Sequence, residues 1–143
     1  MGTEPGADEL GVDLRRAVAR FYRRLKAERA DDQLSDTQGA VLSLIVRDGP
    51  QTITALSESE RVTPPSMNQI VNALVARGYV ERQRVNSDRR QVLVSATAAG
   101  TEVARATIRR RHEWLHGQLE GLTPDELDAL ARAAVIMRRM ADE

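Results

Sequence analysis

Between Thr52 and Ser95 the hydrophobic rhythm of the chain changes from helical to extended, and each change is marked by a residue suited to beginning or ending an element. Thr63 is placed to cap a helix. Pro64-Pro65 follow it, where a missing N–H costs nothing because first-turn donors have no helical partner. Met67, Val71 and Leu74 then recur at i, i+4 and i+7, flanked by Ile70 and Val75, until Gly78 ends the run after Arg77. A shorter helical segment, Thr52 to Glu60, precedes this one across the tight connection Arg61-Val62. Two β-branched segments, Tyr79 to Val85 and Gln91 to Ser95, follow it around the polar turn Asn86-Ser87-Asp88-Arg89-Arg90. Short helix, tight turn, capped helix and polar-tipped hairpin, in that order, predict a winged helix-turn-helix.

The capped helix carries the functional expectation. With Met67, Val71 and Leu74 turned inward, its opposite surface holds Pro65, Ser66, Asn68, Gln69, Asn72, Ala73 and Arg77, and no acid lies on the helix. Asn and Gln can pair bidentately with an adenine edge, Ser and Thr donate or accept, and Pro or Ala can touch a thymine methyl. A carboxylate there would repel phosphate, whereas the free N–H groups behind Thr63 attract it. Arg82 and Arg84 lie two residues apart, hence on one strand face within reach of flanking phosphates, and Arg89 and Arg90 sit at the hairpin tip, suited to a narrow, negative minor groove. Asp88 fits this tip as an acceptor for Arg90 or for its own loop backbone. The bland alternative is a solvated helix face beside a basic hairpin that binds an acidic protein partner. It leaves unexplained why an acid-free, amide-rich helix stands just before the wing.

Outside this span the pattern is helical, so the fold class is mainly α with a small β-hairpin wing. Residues 1–9 read as a flexible leader, 10–33 as a long first helix with the stripe Leu10, Leu14, Val18, Phe21 and Leu25, and 34–96 as the DNA-binding region. That region opens with a helix capped by Ser35 and Gln38, carrying Val41, Leu44 and Ile45, and ending at Asp48-Gly49-Pro50. Residues 97–143 hold two helices, one entered at Thr97 and one opened by Thr123-Pro124-Asp125-Glu126, whose stripe is Leu127, Leu130, Ala134, Met137 and Ala141. A small winged domain has no core left to cover both terminal stripes, so the outer helices are expected to interdigitate with those of a second copy. Two-fold symmetry would then set two recognition helices about 34 to 36 Å apart, on successive major grooves of a pseudo-palindrome.

Charge is balanced overall, 21 basic against 21 acidic side chains, but unevenly spread. Arg61 to Arg90 holds six arginines and two acids, while Glu113 to Glu143 holds seven acids and three arginines. The acidic end is therefore expected to face away from a polyanion. The absence of cysteine excludes disulfides, thiol redox sensing and Cys-containing zinc sites, and no run of 18 apolar residues occurs, so neither a membrane partner nor a cofactor is expected and the compartment is most simply cytoplasmic. His112 and His116 stand at i, i+4 without a cysteine or an HExxH pattern, which favours solvated or interface histidines over a metal site. Ser57, Ser59 and Ser66 have no readable histidine partner and Gly-rich phosphate loops are missing, so the chain is not expected to be an enzyme.

The run from Val62 through Arg82, followed by Asn86-Ser87-Asp88-Arg89-Arg90 and Thr97-Ala98-Ala99-Gly100, resembles the MarR (multiple antibiotic resistance regulator) family of winged helix-turn-helix proteins. Asp88 and Arg90 match that family's D-x-R wing signature, and Thr97 to Gly100 match its L-T-x-x-G entry to the long helix, with Ala96 replacing the usual Leu. The resemblance spans Leu14 to Met140. It implies a recognition helix from Thr63 to Arg77 and a minor-groove arginine at Arg90 steadied by Asp88, with Arg89 as a second candidate. It further implies a homodimeric repressor of transcription that leaves duplex DNA when a small aromatic or lipophilic effector binds between the dimerisation helices and the winged domain.

Overall fold

The computed structural model describes residues 6–85 and 88–143, with the side chains of residues 88–90 outside the description. Six helices and three strands follow in the order α1 (Ala7–Ala27), α2 (Asp36–Asp48), β1 (Gln51–Thr52), α3 (Ile53–Glu60), α4 (Pro64–Ala76), β2 (Val80–Val85), β3 (Asp88–Ala96), α5 (Ala98–Glu120) and α6 (Pro124–Ala141). The helix caps are those expected. Ser35 and Thr123 each form a reciprocal capping box, and the hydroxyls of Thr52, Thr63 and Thr97 accept from backbone amides in the first turns of α3, α4 and α5.

The core sits where the winged region folds on itself. Val41, Leu56, Met67, Val71, Leu74 and Val94 are fully sealed from solvent, and Leu42, Ile45 and Val80 nearly so. Burying each such side chain contributes roughly 1.5–3 kcal/mol. Leu44, expected inside, is only partly buried, and Leu42 takes the interior position. The antiparallel sheet has the order β1-β3-β2, so β3 is central. Its partner β1, which the sequence reading did not foresee, pairs Gln51 with Val94 and Thr52 with Leu93. Asp88 pairs with Val85 across a register shift, which leaves only residues 86 and 87 between the two wing strands instead of a five-residue turn.

Two boundaries differ from the sequence reading. Helix α1 starts at Ala7, inside the expected leader, and stops at Ala27 instead of reaching residue 33. The helix-compatible residues after Ala27 are pulled out of the helix by α5. Arg111 Nε donates to the Glu28 carbonyl at 3.1 Å, Arg110 Nη1 to the Arg29 carbonyl at 3.1 Å, and the Ala30 amide donates to Thr107 Oγ1 at 3.1 Å. These partners replace the intrahelical ones the segment gives up.

Downstream, the same connection is tied to the end of α4. Arg77 Nη1 donates to Asp31 Oδ2 at 2.9 Å and Nη2 to Gln33 Oε1 at 2.7 Å, while the Tyr79 hydroxyl donates to Asp31 Oδ2 at 2.8 Å. Partial burial works against the Asp31 carboxylate, but the Tyr79 hydroxyl, the Gln33 amide and the Arg77 charge outweigh it and hold its pKa below the ordinary value. The hydrogen bond to Asp31, with burial, pushes the Tyr79 phenol up. Behind Tyr79, its carbonyl accepts from the Thr97 amide at 3.0 Å, and a Cβ on Gly100 would lie 1.9 Å from that carbonyl oxygen. Glycine is required there because α5 rests directly on the backbone that leads into the wing.

Two outcomes are expected. Gly100→Ala must push α5 off Tyr79 and should cost about 1–3 kcal/mol, read as a lower urea midpoint at unchanged slope. A lowered folded-state pKa means that Asp31 stabilises the fold above the ordinary carboxylate pKa and loses that contribution as pH falls through the folded value. Asp31→Asn should therefore unfold earlier than wild type at pH 7, and the gap between the two should narrow by about pH 3. A gap independent of pH would remove the ionised Asp31 from this role.

Candidate nucleic-acid interface

Helix α4 is set by the turn before it. Arg61 adopts the left-handed conformation, φ 54°, and the Val62 amide donates to the Ser57 carbonyl at 3.1 Å, closing α3 and fixing the direction in which α4 leaves. Thr63 then caps α4, its hydroxyl donating to Ser66 Oγ at 3.0 Å. Met67, Val71 and Leu74 are fully buried, which rotates the remaining face outward: Thr63, Pro65, Ser66, Asn68, Gln69 and Asn72 are all exposed. The first turn carries no acid, so nothing opposes the partial positive charge of the helix start.

The wing strand lies beside this face. Arg82 and Arg84 are exposed on β2, and Arg82 Nη2 donates to Asn72 Oδ1 at 2.7 Å, linking strand to helix. Asn68 is held by its own helix, Nδ2 donating to the Pro64 carbonyl at 3.1 Å. The side chains of Asp88, Arg89 and Arg90 lie outside the described residues, although their backbone belongs to β3. Arg77 departs from the group. Its guanidinium is spent on Asp31 and Gln33, so the structure gives it a place in the frame behind α4 rather than on the exposed face with Asn68 and Asn72.

Two polar residues that the sequence reading passed over join the surface. Thr54 on α3 and Gln91 on β3 line a cleft of about 450 Å³ together with Asn68 and Arg82. The cue was weak in sequence: Thr54 is the second residue of α3, and Gln91 is adjacent to the tip arginines, but only the sheet brings them to one place.

A second cavity, of about 290 Å³, opens between α1, α2 and α5. Lys26, Arg29, Arg47 and Arg111 line it along with Asp36 and Glu60, and Tyr22, Leu42, Leu44 and Val103 supply apolar surface. Arg29 is anchored within it by bonds to the Leu34 carbonyl and the Asp36 carboxylate. Farther out, His112 and His116 stack with ring centroids 6.4 Å apart, and His116 Nε2 lies 3.2 Å from a Glu120 carboxylate oxygen. No group of three or more potential metal-ligating side chains occurs among the described residues, and no helix among them is long and apolar enough to cross a membrane.

Comparison with known proteins agrees with this geometry. Residues 34–92 match the family model described as MarR family. An uncharacterised HTH-type transcriptional regulator of Mycobacterium leprae is 37% identical over 134 residues, covering 94% of each chain. The crystal structure of RV1404 from Mycobacterium tuberculosis superposes with a TM-score of 0.86 at 22% identity, covering 100% of this chain and 99% of that one. Streptococcus pneumoniae FabT, crystallised in complex with DNA, shares the fold with a TM-score of 0.67 at 18% identity over 94% of each chain. The chain therefore belongs to the MarR family and is a DNA-binding transcriptional regulator, not an enzyme.

Proposed function

We propose that this protein binds a pseudo-palindromic operator as a homodimer, represses transcription by occupying it, and is released by a small effector. The observation that carries the reading is the outward face of α4, free of acids, exposed from Thr63 to Asn72 and flanked by Arg82 and Arg84. In this reading Pro65, Ser66, Asn68, Gln69 and Asn72 meet base edges and Thr63 meets phosphate at the helix start. Arg84 reaches a flanking phosphate, and Arg90, with Arg89 beside it, enters the minor groove while Asp88 steadies the tip. Arg77 contributes by holding the end of α4 in place. FabT, crystallised in complex with DNA, supports DNA binding by a chain of this fold.

Dimerisation is supported by what one chain leaves uncovered. Helices α1 and α6 bury no residue, and Leu10, Phe21 and Tyr22 on α1, with Leu130, Val135, Ile136 and Met140 on α6, are each 46–59% exposed. Exposed apolar side chains in such number on two helices mark an interface. A second copy fits because it presents the same exposed apolar helices, and an isologous contact sets one such surface against its equal. A purified sample should run at twice the 15.8 kDa of one chain, and Leu130→Glu with Ile136→Glu should shift it toward monomer and weaken operator binding by at least tenfold, read by light scattering and titration. A wild-type monomer that still binds the full operator would exclude the dimer.

The cavity between α1, α2 and α5 supports effector control, since its four cations and apolar walls suit an anionic aromatic compound. Its wall includes Arg29 and Arg111, which grip the connection that Asp31 ties to Arg77, so a ligand there has a physical route to α4.

Selection from randomised duplex DNA, at stated salt and with nonspecific competitor, tests the whole reading. The expected product is a pseudo-palindrome with half-sites about one helical turn apart. Arg90→Ala should weaken it by roughly 1–3 kcal/mol, and aromatic carboxylates should dissociate the wild-type complex. Absence of any enriched sequence from folded protein would favour instead a basic hairpin that serves an acidic protein partner.

A further inference from the structure

Arg82 and Asn72 are the one pair of side chains through which the wing touches the exposed face of α4 among the described hydrogen bonds. A guanidinium only donates, so the amide oxygen must be the atom facing Arg82 and the amino group must face away. An asparagine on a solvated helix face can turn its amide over at little cost, presenting oxygen and nitrogen in either order. Asn72 cannot do so while Arg82 holds its oxygen at 2.7 Å in a charge-assisted bond. The second lone pair of that oxygen and both amino hydrogens stay open, so the amide keeps its capacity to read a base but loses one of its two orientations.

From this we infer that Arg82 is a positioning residue for base recognition: it fixes the orientation of the Asn72 amide, and through it the base-pair preference at one position of each half-site. The inference rests on the proposed reading of α4 as the recognition helix, and changes the role of Arg82 within it. A residue that only neutralises phosphate adds affinity on every sequence alike. A residue that orients an amide acts on discrimination at one base pair, because a bidentate contact requires oxygen and nitrogen in a set order. Asn68 shows the same economy by another route, its amino group held by the Pro64 carbonyl of its own helix. Gln69, between them on the exposed face, forms no side-chain hydrogen bond within the described residues. Among the described residues the face of α4 therefore presents two oriented amides and, in Gln69, one without a side-chain partner.

The test uses the full-length protein and a library of randomised duplexes, selected in parallel with wild type, Asn72→Ala, Arg82→Ala, Arg82→Lys and the Asn72→Ala/Arg82→Ala double variant. Far-ultraviolet circular dichroism would establish that all five are folded. The expected result is that Asn72→Ala and Arg82→Ala flatten the same symmetric position by about tenfold or more. The double variant should lose no further preference there, and Arg82→Lys, which keeps a donor, should restore part of it. Equal loss of affinity on all duplexes with unchanged base preference, accompanied by a salt slope lower by about one, would show that Arg82 serves phosphate and overturn the inference. Flattening at two different positions would overturn it as well. If wild type enriches no sequence, the reading of α4 itself falls and this inference with it, an outcome distinct from an enriched operator that is indifferent to Arg82.

Discussion

The burial of Met67, Val71 and Leu74 against Val41, Leu56, Val80 and Val94 is the constraint on which the rest of this protein depends. Three residues on one stripe fix the rotation of α4 about its axis, and with it which side chains face outward. Because a close-packed core has few alternative arrangements, the outward set is as well determined as the inward one. The polar face needs no interactions of its own to hold it in place. It is exposed because its opposite side is sealed, and this leaves its hydrogen-bonding capacity available to a partner.

Around that core the chain builds a frame that transmits position. Residues 28–34 are gripped by Thr107, Arg110 and Arg111 of α5 and, through Asp31 and Gln33, by Arg77 at the end of α4. Gly100 brings α5 against the Tyr79 backbone at the point where α4 gives way to the wing. Helix α5 thus touches the backbone leading into the wing near its start and, farther along, the connection that Asp31 ties to the end of α4. The fold links α5 to the end of α4 through residues 28–33 and to the start of the wing through Tyr79.

The terminal helices follow a different logic. Helix α6 makes no substantial packing contact with any other element of its own chain among the described residues, and α1 is anchored mainly near its C-terminal end, where Phe21 and Arg24 meet Trp114 of α5. A reciprocal capping box opens α6 and both helices carry amphipathic stripes, yet their own chain leaves much of that apolar surface exposed. The polar and apolar surfaces of the molecule are separated accordingly, with an exposed polar face on α4 beside the arginines of β2 and exposed apolar surface on α1 and α6.

What the sequence determined by itself was local. Caps at Ser35, Thr63, Thr97 and Thr123, the breaks at Gly49 and Gly78, and the period of Met67, Val71 and Leu74 are interactions between near neighbours, so spacing alone revealed them and the exposed face they imply. Tertiary structure decided whatever depended on a distant partner. The end of α1 at Ala27 is set by arginines some 80 residues away, β1 exists only because β3 lies beside it, and Leu42 takes the interior position instead of Leu44, two residues on, because packing, not period, selects between them. Arg77 and Arg82 show the same division. As residues they are alike, but Asp31 draws one behind α4 and Asn72 holds the other on its face, because a long cationic side chain goes where the fold places an oxygen.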